Sequence, residues 1–183
     1  MKIDSITSMD QVWPHLKHLD ARFDAVANYL NGRVGDNDTI IDLNCGDSRI
    51  LSRLKSGKYI GTDAVRTEEG QAYRKQYNGE FLHLKDDELN LSGHVDVVML
   101  WGHGGYEISK EEVESPTVTD SLKKIIIENQ PKYIVLESIQ DYATILVDII
   151  NWCGSRYEII IDEKLFLGKT REWNRQVYLL EKI

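Results

Sequence analysis

The chain of 183 residues carries a formal net charge of −8, with 42% hydrophobic and 28% charged residues. This composition is that of an ordinary globular protein and excludes a disordered or fibrous chain, while the acidity disfavours a nucleic-acid substrate by repelling its phosphate backbone. The longest apolar run, around 95–101, is far shorter than the roughly 20 residues of a membrane-spanning helix, and residues 1–10 show no signal-peptide core. We therefore expect a soluble cytoplasmic protein with no membrane partner.

Helical and strand-like patterns of apolar residues alternate along the chain. Apolar residues at three- and four-residue steps predict an amphipathic helix over 10–30, and a β-branched run predicts a buried strand over 39–43. A second helix, with Ile50 and Leu54 on its buried face, is expected to follow and to end at Gly57. The later predicted elements are a strand over 59–62, a helix over 68–77, strands over 80–84 and 95–100, a helix over 119–129, a strand over 133–136, a helix over 142–152, and strands over 157–161 and 176–180.

This alternation predicts a doubly wound, mostly parallel, seven-stranded α/β sheet with helices on both faces. No helical pattern separates the last two strands, so they should pair antiparallel as a hairpin with a long loop over 162–175. No repeat or linker divides the chain, which predicts a single domain with a helical segment over 1–38 and a sheet-forming core over 39–183. The long connections, 101–118 and 162–175, are the expected places for functional residues.

The carboxyl ends of the predicted strands carry the candidate chemistry, because ligands of open α/β sheets bind there. Asp42 and Asp47 flank Gly46 after the first strand; the glycine would let the backbone approach a ligand, and the two carboxylates favour cationic groups over a pyrophosphate. Asp63 ends the second strand, close to 20 residues past that turn, where an acid can accept hydrogen bonds from ribose hydroxyls. The glycine pattern of dinucleotide sites and the lysine motif of phosphate loops are missing, which predicts a nucleoside ligand without phosphate.

The segments IDLNCGDSR (41–49) and YIGTDAV (59–65) resemble the first motif and the ribose-binding acid of class I S-adenosylmethionine-dependent methyltransferases. The resemblance covers roughly residue 39 to the C-terminus and implies the Rossmann-like methyltransferase fold, with S-adenosylmethionine as cofactor. Asn44 and Ser48 stand where that family often has glycine. The residues implied in cofactor contact are Asp42, Asn44, Gly46, Asp47, Asp63, Ala64, one of Asp86 and Asp87, and Trp101.

The fourth predicted strand leads into the segment WGHGGYE (101–107), where the family places catalytic or acceptor-binding residues. Methyl transfer from a reactive sulfonium needs alignment and desolvation, and it needs a base only when the acceptor is a hydroxyl. His103, with an ordinary pKa near 6.5, is the candidate base, and an exposed loop histidine is the alternative interpretation. Tyr106 and Trp173 are candidates for acceptor contact, although Trp173 could instead pack on the final hairpin.

Other interpretations remain open for several of these residues. Asp42 and Asp63 could cap turns at the sheet edge, Asp86 and Asp87 could form a surface turn, and Trp101 could be a core residue. The leading hypothesis is a methyltransferase acting on a small or medium-sized metabolite, including one that accepts the methyl group on a hydroxyl. The alternatives are a non-catalytic S-adenosylmethionine-binding regulatory module and an NAD-dependent oxidoreductase that would lack its usual glycine motif. No cysteine spacing predicts a metal site or a disulfide.

Overall fold

The computed structural model describes residues 7–8, 20–63, 67–83, 93–103, 116–139, 143–166 and 174–183. Its helices and strands, in chain order, are α1 (Arg22–Leu30), β1 (Thr39–Leu43), a 3-10 helix (Arg49–Ser52), β2 (Lys58–Asp63), α2 (Glu68–Tyr77), β3 (Glu80–His83), β4 (Val97–His103), α3 (Pro116–Asn129), β5 (Tyr133–Ile139), α4 (Ala143–Cys153), a second 3-10 helix (Gly154–Arg156), β6 (Tyr157–Phe166) and β7 (Asn174–Lys182). Among the helices in these ranges, none is both long and apolar enough to cross a membrane.

Within the described ranges, seven strands form one sheet in the order β3-β2-β1-β4-β5-β7-β6. The first five strands of that order run parallel, and β7 runs antiparallel between β5 and β6. This arrangement confirms the predicted doubly wound, mostly parallel sheet and its C-terminal antiparallel hairpin. Because β1 lies between β2 and β4, the carboxyl ends of these strands meet at one edge of the sheet, which we call the carboxyl edge.

Helices cover both faces of the sheet. Phe23 and Leu30 of α1 join one buried cluster with Ile50 of the first 3-10 helix, whereas Leu122 of α3 and Leu146 of α4 join a second cluster on the other face. Every residue of β5 is buried, as is typical of a central strand with helices on both sides. The α1 helix therefore packs in the same core as the sheet.

The predicted N-terminal helix is confirmed over its C-terminal part. It begins at Arg22, after a turn at 20–21, and ends at Leu30, where Asn31 leaves the helical conformation with φ −61° and ψ 121°. The helix therefore does not run unbroken through 20–21, and the part of the prediction that covers 10–19 lies outside the described residues.

The helix predicted between β1 and β2 is wrong, because only Arg49–Ser52 is helical there and it is a 3-10 helix. Because β2 is parallel to β1 and starts level with it, the connection must run back from the carboxyl end of β1 to its amino end. That distance is about 17 Å for five residues at 3.3 Å each. As an α-helix, residues 49–57 would advance only about 14 Å, whereas a short 3-10 helix followed by extended chain reaches further. Ile50 and Leu54 are nevertheless buried, as the pattern predicted.

The strands of the hairpin are longer than predicted. The ladder between β6 and β7 continues to the pair of Phe166 and Asn174, so residues 162–166 and 174–175 of the predicted loop are strand, and 167–173 lies outside the described residues. Exposed and partly buried residues alternate along the second half of β6, because an edge strand can keep one face in water. Because charged residues are compatible with the exposed face of such a strand, a prediction based on apolar residues ended the strand too early, at residue 161.

Candidate functional site

The loop that follows β1 makes a tight turn at the carboxyl edge; we call residues 44–48 the β1 loop. Asn44, Gly46 and Ser48 have left-handed backbone conformations, with φ of 55°, 51° and 54°. Ser48 N donates a hydrogen bond to the carbonyl oxygen of Cys45 over 2.7 Å. Two residues with side chains therefore adopt a conformation that glycine adopts more easily, at the positions where the resembling family often has glycine.

The β1 loop is bound to the end of β2. Cys45 N donates to the carbonyl oxygen of Thr62 over 3.0 Å, and Gly46 N donates to Asp63 Oδ2 over 2.8 Å. The side chain of Asp63 is partly exposed where β2 ends. The structure thus brings together the glycine turn and the acid that the sequence predicted to share a nucleoside site, with a carboxylate that a ligand's hydroxyls can reach.

Asp42 lies in β1, two residues before the β1 loop, and its carboxyl group is buried. It is only 1% exposed, and Tyr59 Oη donates a hydrogen bond to its Oδ2 over 2.6 Å. Burial raises the pKa of Asp42 from 3.8 to about 7, while the hydrogen bond from Tyr59 acts in the opposite direction. Within the described residues, its Oδ1 has no hydrogen-bond partner. A buried acceptor of this kind is usually satisfied by a ligand or an ordered water molecule.

Asp47 contacts other side chains of the protein. Its Oδ2 accepts a hydrogen bond from Ser8 Oγ over 3.0 Å and lies 3.1 Å from Arg49 Nη2. Arg49 Nη2 also lies 3.4 Å from Glu69 Oε2 at the start of α2. Asp47 and Arg49 therefore connect an N-terminal residue and α2 to the β1 loop, an arrangement that favours a role in holding the loop.

The end of β4 combines a buried aromatic side chain with a change in strand register. Trp101 is 4% exposed and packs edge-on against Phe23 of α1, with ring centroids 4.7 Å apart. Its Nε1 has no hydrogen-bond partner among the residues that the structure describes. The ladder to β5 shifts between Leu100 and His103, and Gly102 takes a φ of 68°. Trp101 is thus a core residue that also lies at the carboxyl edge.

A buried ion pair supports this end of β4. Gly102 N donates to Glu137 Oε2 over 2.5 Å, and Glu137 Oε1 lies 3.5 Å from Arg175 Nε, both side chains being fully buried. Burial raises the pKa of Glu137. The pKa of Arg175 is lowered to about 9, first by burial and then by the positive charge of Arg22. With a pKa of about 9, Arg175 stays protonated at neutral pH.

The sequence prediction missed Arg49, Arg74, Glu137 and Arg175. One signal was available, because Glu137 directly follows the apolar run 133–136, and a charge in a fully buried strand requires a partner. The partners themselves lie far apart in sequence and could not be read from local patterns.

Several candidate residues lie outside the described ranges: Ala64, Asp86, Asp87, Tyr106 and Trp173. His103 ends β4 and pairs with Ser138 in the ladder to β5, so its backbone reaches the carboxyl edge, but its side chain is not among those described. The residues that the structure does bring to this edge are Asp42, Asn44, Gly46, Asp47, Asp63 and Trp101.

The strand order and the reversed hairpin, together with a glycine loop joined to an acid on the neighbouring strand, define the fold of class I S-adenosylmethionine-dependent methyltransferases. No protein-family model and no curated protein matches the chain in sequence. Solved structures do match it. One is 1,6-didemethyltoxoflavin-N1-methyltransferase from Burkholderia thailandensis with bound 1,6-didemethyltoxoflavin and S-adenosylhomocysteine, which has a TM-score of 0.68 and 11% identity, over 95% of this chain and 84% of that one.

Two further structures share the fold. Magnesium protoporphyrin IX methyltransferase from Synechocystis PCC 6803, with bound S-adenosylhomocysteine, has a TM-score of 0.58 and 13% identity, over 91% of this chain and 84% of that one. An rRNA methylase from Streptococcus thermophilus has a TM-score of 0.60 and 12% identity, over 87% of this chain and 95% of that one. The fold is thus shared by enzymes that methylate small molecules and by enzymes that methylate RNA.

Proposed function

We propose that the protein binds S-adenosylmethionine and transfers its methyl group to a small or medium-sized metabolite. The observation that carries the proposal is the hydrogen bond from Gly46 N to Asp63 Oδ2, 2.8 Å long, at the carboxyl edge. It joins a turn that contains a glycine to an acid that can bind a ribose, in a fold of which two similar solved structures hold S-adenosylhomocysteine.

The chemistry of the described residues fits this cofactor. Gly46 allows close approach of a ligand to the backbone, and Asp63 offers a charged acceptor for ribose hydroxyls. Asp42 contributes a carboxyl group with an Oδ1 that has no hydrogen-bond partner within the described ranges, and its negative form favours a cationic ligand. S-adenosylmethionine supplies the methyl group on a sulfonium centre, so the protein needs mainly to align and desolvate the acceptor. We expect further contacts from Ala64 and from one of Asp86 and Asp87.

The acceptor part of the proposal rests on charge and on the end of β4. A net charge of −8 disfavours RNA, although three of the similar structures are rRNA methylases. Where the acceptor is a hydroxyl, His103 would take its proton, and Tyr106 and Trp173 would line the acceptor pocket. We further propose one cytoplasmic domain, with 1–38 as its N-terminal segment and 39–183 as its core; the packing of α1 in the sheet's own cluster supports this.

Isothermal titration calorimetry tests the cofactor assignment. We expect binding of S-adenosylmethionine and of S-adenosylhomocysteine, its demethylated product, and no binding of NAD. Binding of NAD alone would favour an oxidoreductase and contradict the proposal. A radiolabelled methyl-transfer assay on a panel of metabolite hydroxyls and amines, with rRNA as a separate arm, then tests catalysis. Cofactor binding without transfer to any arm would favour a non-catalytic binding module instead.

A further inference from the structure

Arg74 reaches from α2 to the β1 loop. Its Nη1 donates a hydrogen bond to Ser48 Oγ over 2.6 Å, and the two residues are 3% and 0% exposed. Hydrogen bonds in which one partner is charged are among the stronger contacts of a protein interior. A side chain from the middle of α2 is therefore bound to the last residue of the loop that Gly46 occupies.

The guanidinium of Arg74 lies close to the ring of Phe81 and to the backbone of Gly70. Its guanidinium carbon lies 4.5 Å from the centre of the Phe81 ring, in the range of a cation–π contact. Gly70, in the first turn of α2, has no side chain, and a Cβ there would lie 2.7 Å from Thr67 Oγ1 and 2.8 Å from Arg74 Nη1. Glycine is a poor helix former, and at this position it leaves space for both the Thr67 hydroxyl that caps α2 and the guanidinium of Arg74.

Ser48 is the residue on which the hydrogen bond acts. Its φ of 54° is left-handed, which an L residue with a Cβ adopts only at a cost in free energy. In that conformation Ser48 N donates to the carbonyl oxygen of Cys45 and closes the turn that contains Gly46. A contact that fixes the Ser48 side chain therefore also stabilises the backbone of the β1 loop.

We propose that Arg74 is a positioning residue, whose hydrogen bond to Ser48 holds the β1 loop in the conformation that S-adenosylmethionine binding requires. At a position where glycine would adopt this conformation unaided, the chain uses a serine and an arginine. The ligand named here rests on the proposed function, but the conformation of the loop can be measured without any ligand.

Hydrogen exchange of the ligand-free protein, followed by mass spectrometry, tests the loop. Arg74→Met removes the donor while keeping a long side chain over Phe81. We expect exchange in the peptide that contains the β1 loop to become about tenfold faster, because the amide of Ser48 is less often bonded in its turn. Lys75→Met is the matched control, since Lys75 is exposed on the same helix and the change in charge is equal.

Calorimetry with S-adenosylmethionine supplies the second readout. Arg74→Met should weaken binding about tenfold, whereas Lys75→Met should not. In a Ser48→Gly background, Arg74→Met should cause no further loss of affinity, since glycine needs no hydrogen bond to adopt this φ. A role of Arg74 in overall stability alone would not be cancelled in this way.

Ser48→Ala removes only the hydroxyl and should reproduce both effects, so it decides the matter if Arg74→Met does not fold. The inference would be overturned if the β1-loop peptide exchanged no faster in Ser48→Ala and Arg74→Met than in Lys75→Met. It would also be overturned if Arg74→Met weakened S-adenosylmethionine binding as much in the Ser48→Gly background as in the wild-type background. Failure of the wild-type protein to bind S-adenosylmethionine would overturn the proposed function instead, and the exchange rates would still decide the role of Arg74.

Discussion

Glu137 on β5 and Arg175 on β7 form an ion pair between two fully buried side chains, with 3.5 Å between Oε1 and Nε. The same carboxylate accepts the hydrogen bond from Gly102 N, so it connects three strands at the carboxyl edge. Removing one member of a buried pair leaves the other charge without its compensation, and this is far more destabilising than the loss of a surface pair.

Glu137→Ala should lower the free energy of unfolding by about 3 to 5 kcal/mol, measured by urea denaturation. Glu137→Gln should lower it less, because the amide oxygen can still accept the hydrogen bond from Gly102 N. The control Glu128→Ala removes an exposed acid from α3 and should change the stability by less than about 0.5 kcal/mol. Equal stability of the Glu137→Ala and Glu128→Ala variants would contradict this account of β4.

Asp63→Ala should weaken the binding of S-adenosylmethionine roughly 10- to 100-fold, since a charged acceptor of ribose hydroxyls contributes about 1.5 to 3 kcal/mol. Calorimetric titration measures the dissociation constant. Asp36→Ala is the matched control, because Asp36 is exposed and precedes β1 at the opposite edge of the sheet. An unchanged dissociation constant in folded Asp63→Ala would remove the ribose assignment.

Gly46→Val should abolish the binding of S-adenosylmethionine, because a branched side chain would occupy the space where the ligand meets the backbone. Gly154→Val is the control for backbone strain, since Gly154 has a φ of 60°, close to the 51° of Gly46, and open space around it. Both variants should lose about 1 to 3 kcal/mol of stability in thermal or urea unfolding. Loss of binding in both variants, or in neither, would refute a specific role of Gly46.

Asp42 should make the stability of the wild-type protein depend on pH. Its pKa is about 7 in the folded protein and 3.8 ordinarily, so the folded state binds the proton more tightly. The resulting stabilisation is fully present below pH 3.8 and is lost as the pH rises through about 7, a difference of about 4 kcal/mol. Asp42→Asn should therefore be more stable than wild type by a margin that grows from pH 5 to pH 8. A constant margin in urea denaturation would contradict the assignment.

His103→Ala should lower turnover by about 10²- to 10⁴-fold on a hydroxyl acceptor while changing the affinity for S-adenosylmethionine little. In the wild-type protein, turnover should rise with pH through the pKa of the histidine, and the variant should lose this dependence. The assay uses whichever hydroxyl acceptor the methyl-transfer panel identifies. Nearly full activity of the variant on that acceptor would show that alignment alone drives transfer.

The hydrophobic pattern predicted the sheet well, because β5 and its neighbours are buried on both faces and read as continuous apolar runs. It predicted the hairpin less well, because the exposed face of β6 carries charged residues such as Asp162 and Lys164, and these break the apolar pattern by which a strand is recognised. It failed for the first 3-10 helix. There the conformation is determined by the distance that the connection must span to reach the start of β2, and the spacing of apolar residues carries no information on that distance.

The glycine turn and Asp63 were predictable because the turn directly follows β1 and Asp63 is the last residue of β2, and parallel neighbours bring their carboxyl ends together. The contacts of Ser8 with Asp47, and of Arg74 with Ser48, were not predictable, since they join residues 39 and 26 positions apart in sequence through the packing of whole elements. Ser48 itself looked like a departure from the glycine pattern, and only its backbone angle shows that the conformation is kept.

A crystal structure of the protein with S-adenosylhomocysteine tests the central claim most directly. We expect the ribose hydroxyls within hydrogen-bond distance of the Asp63 carboxylate and the amino-acid end of the ligand against the backbone at Gly46, close to Asp42. A ligand bound away from the β1 loop, or a ribose that does not contact Asp63, would contradict the assignment of this edge of the sheet as the cofactor site.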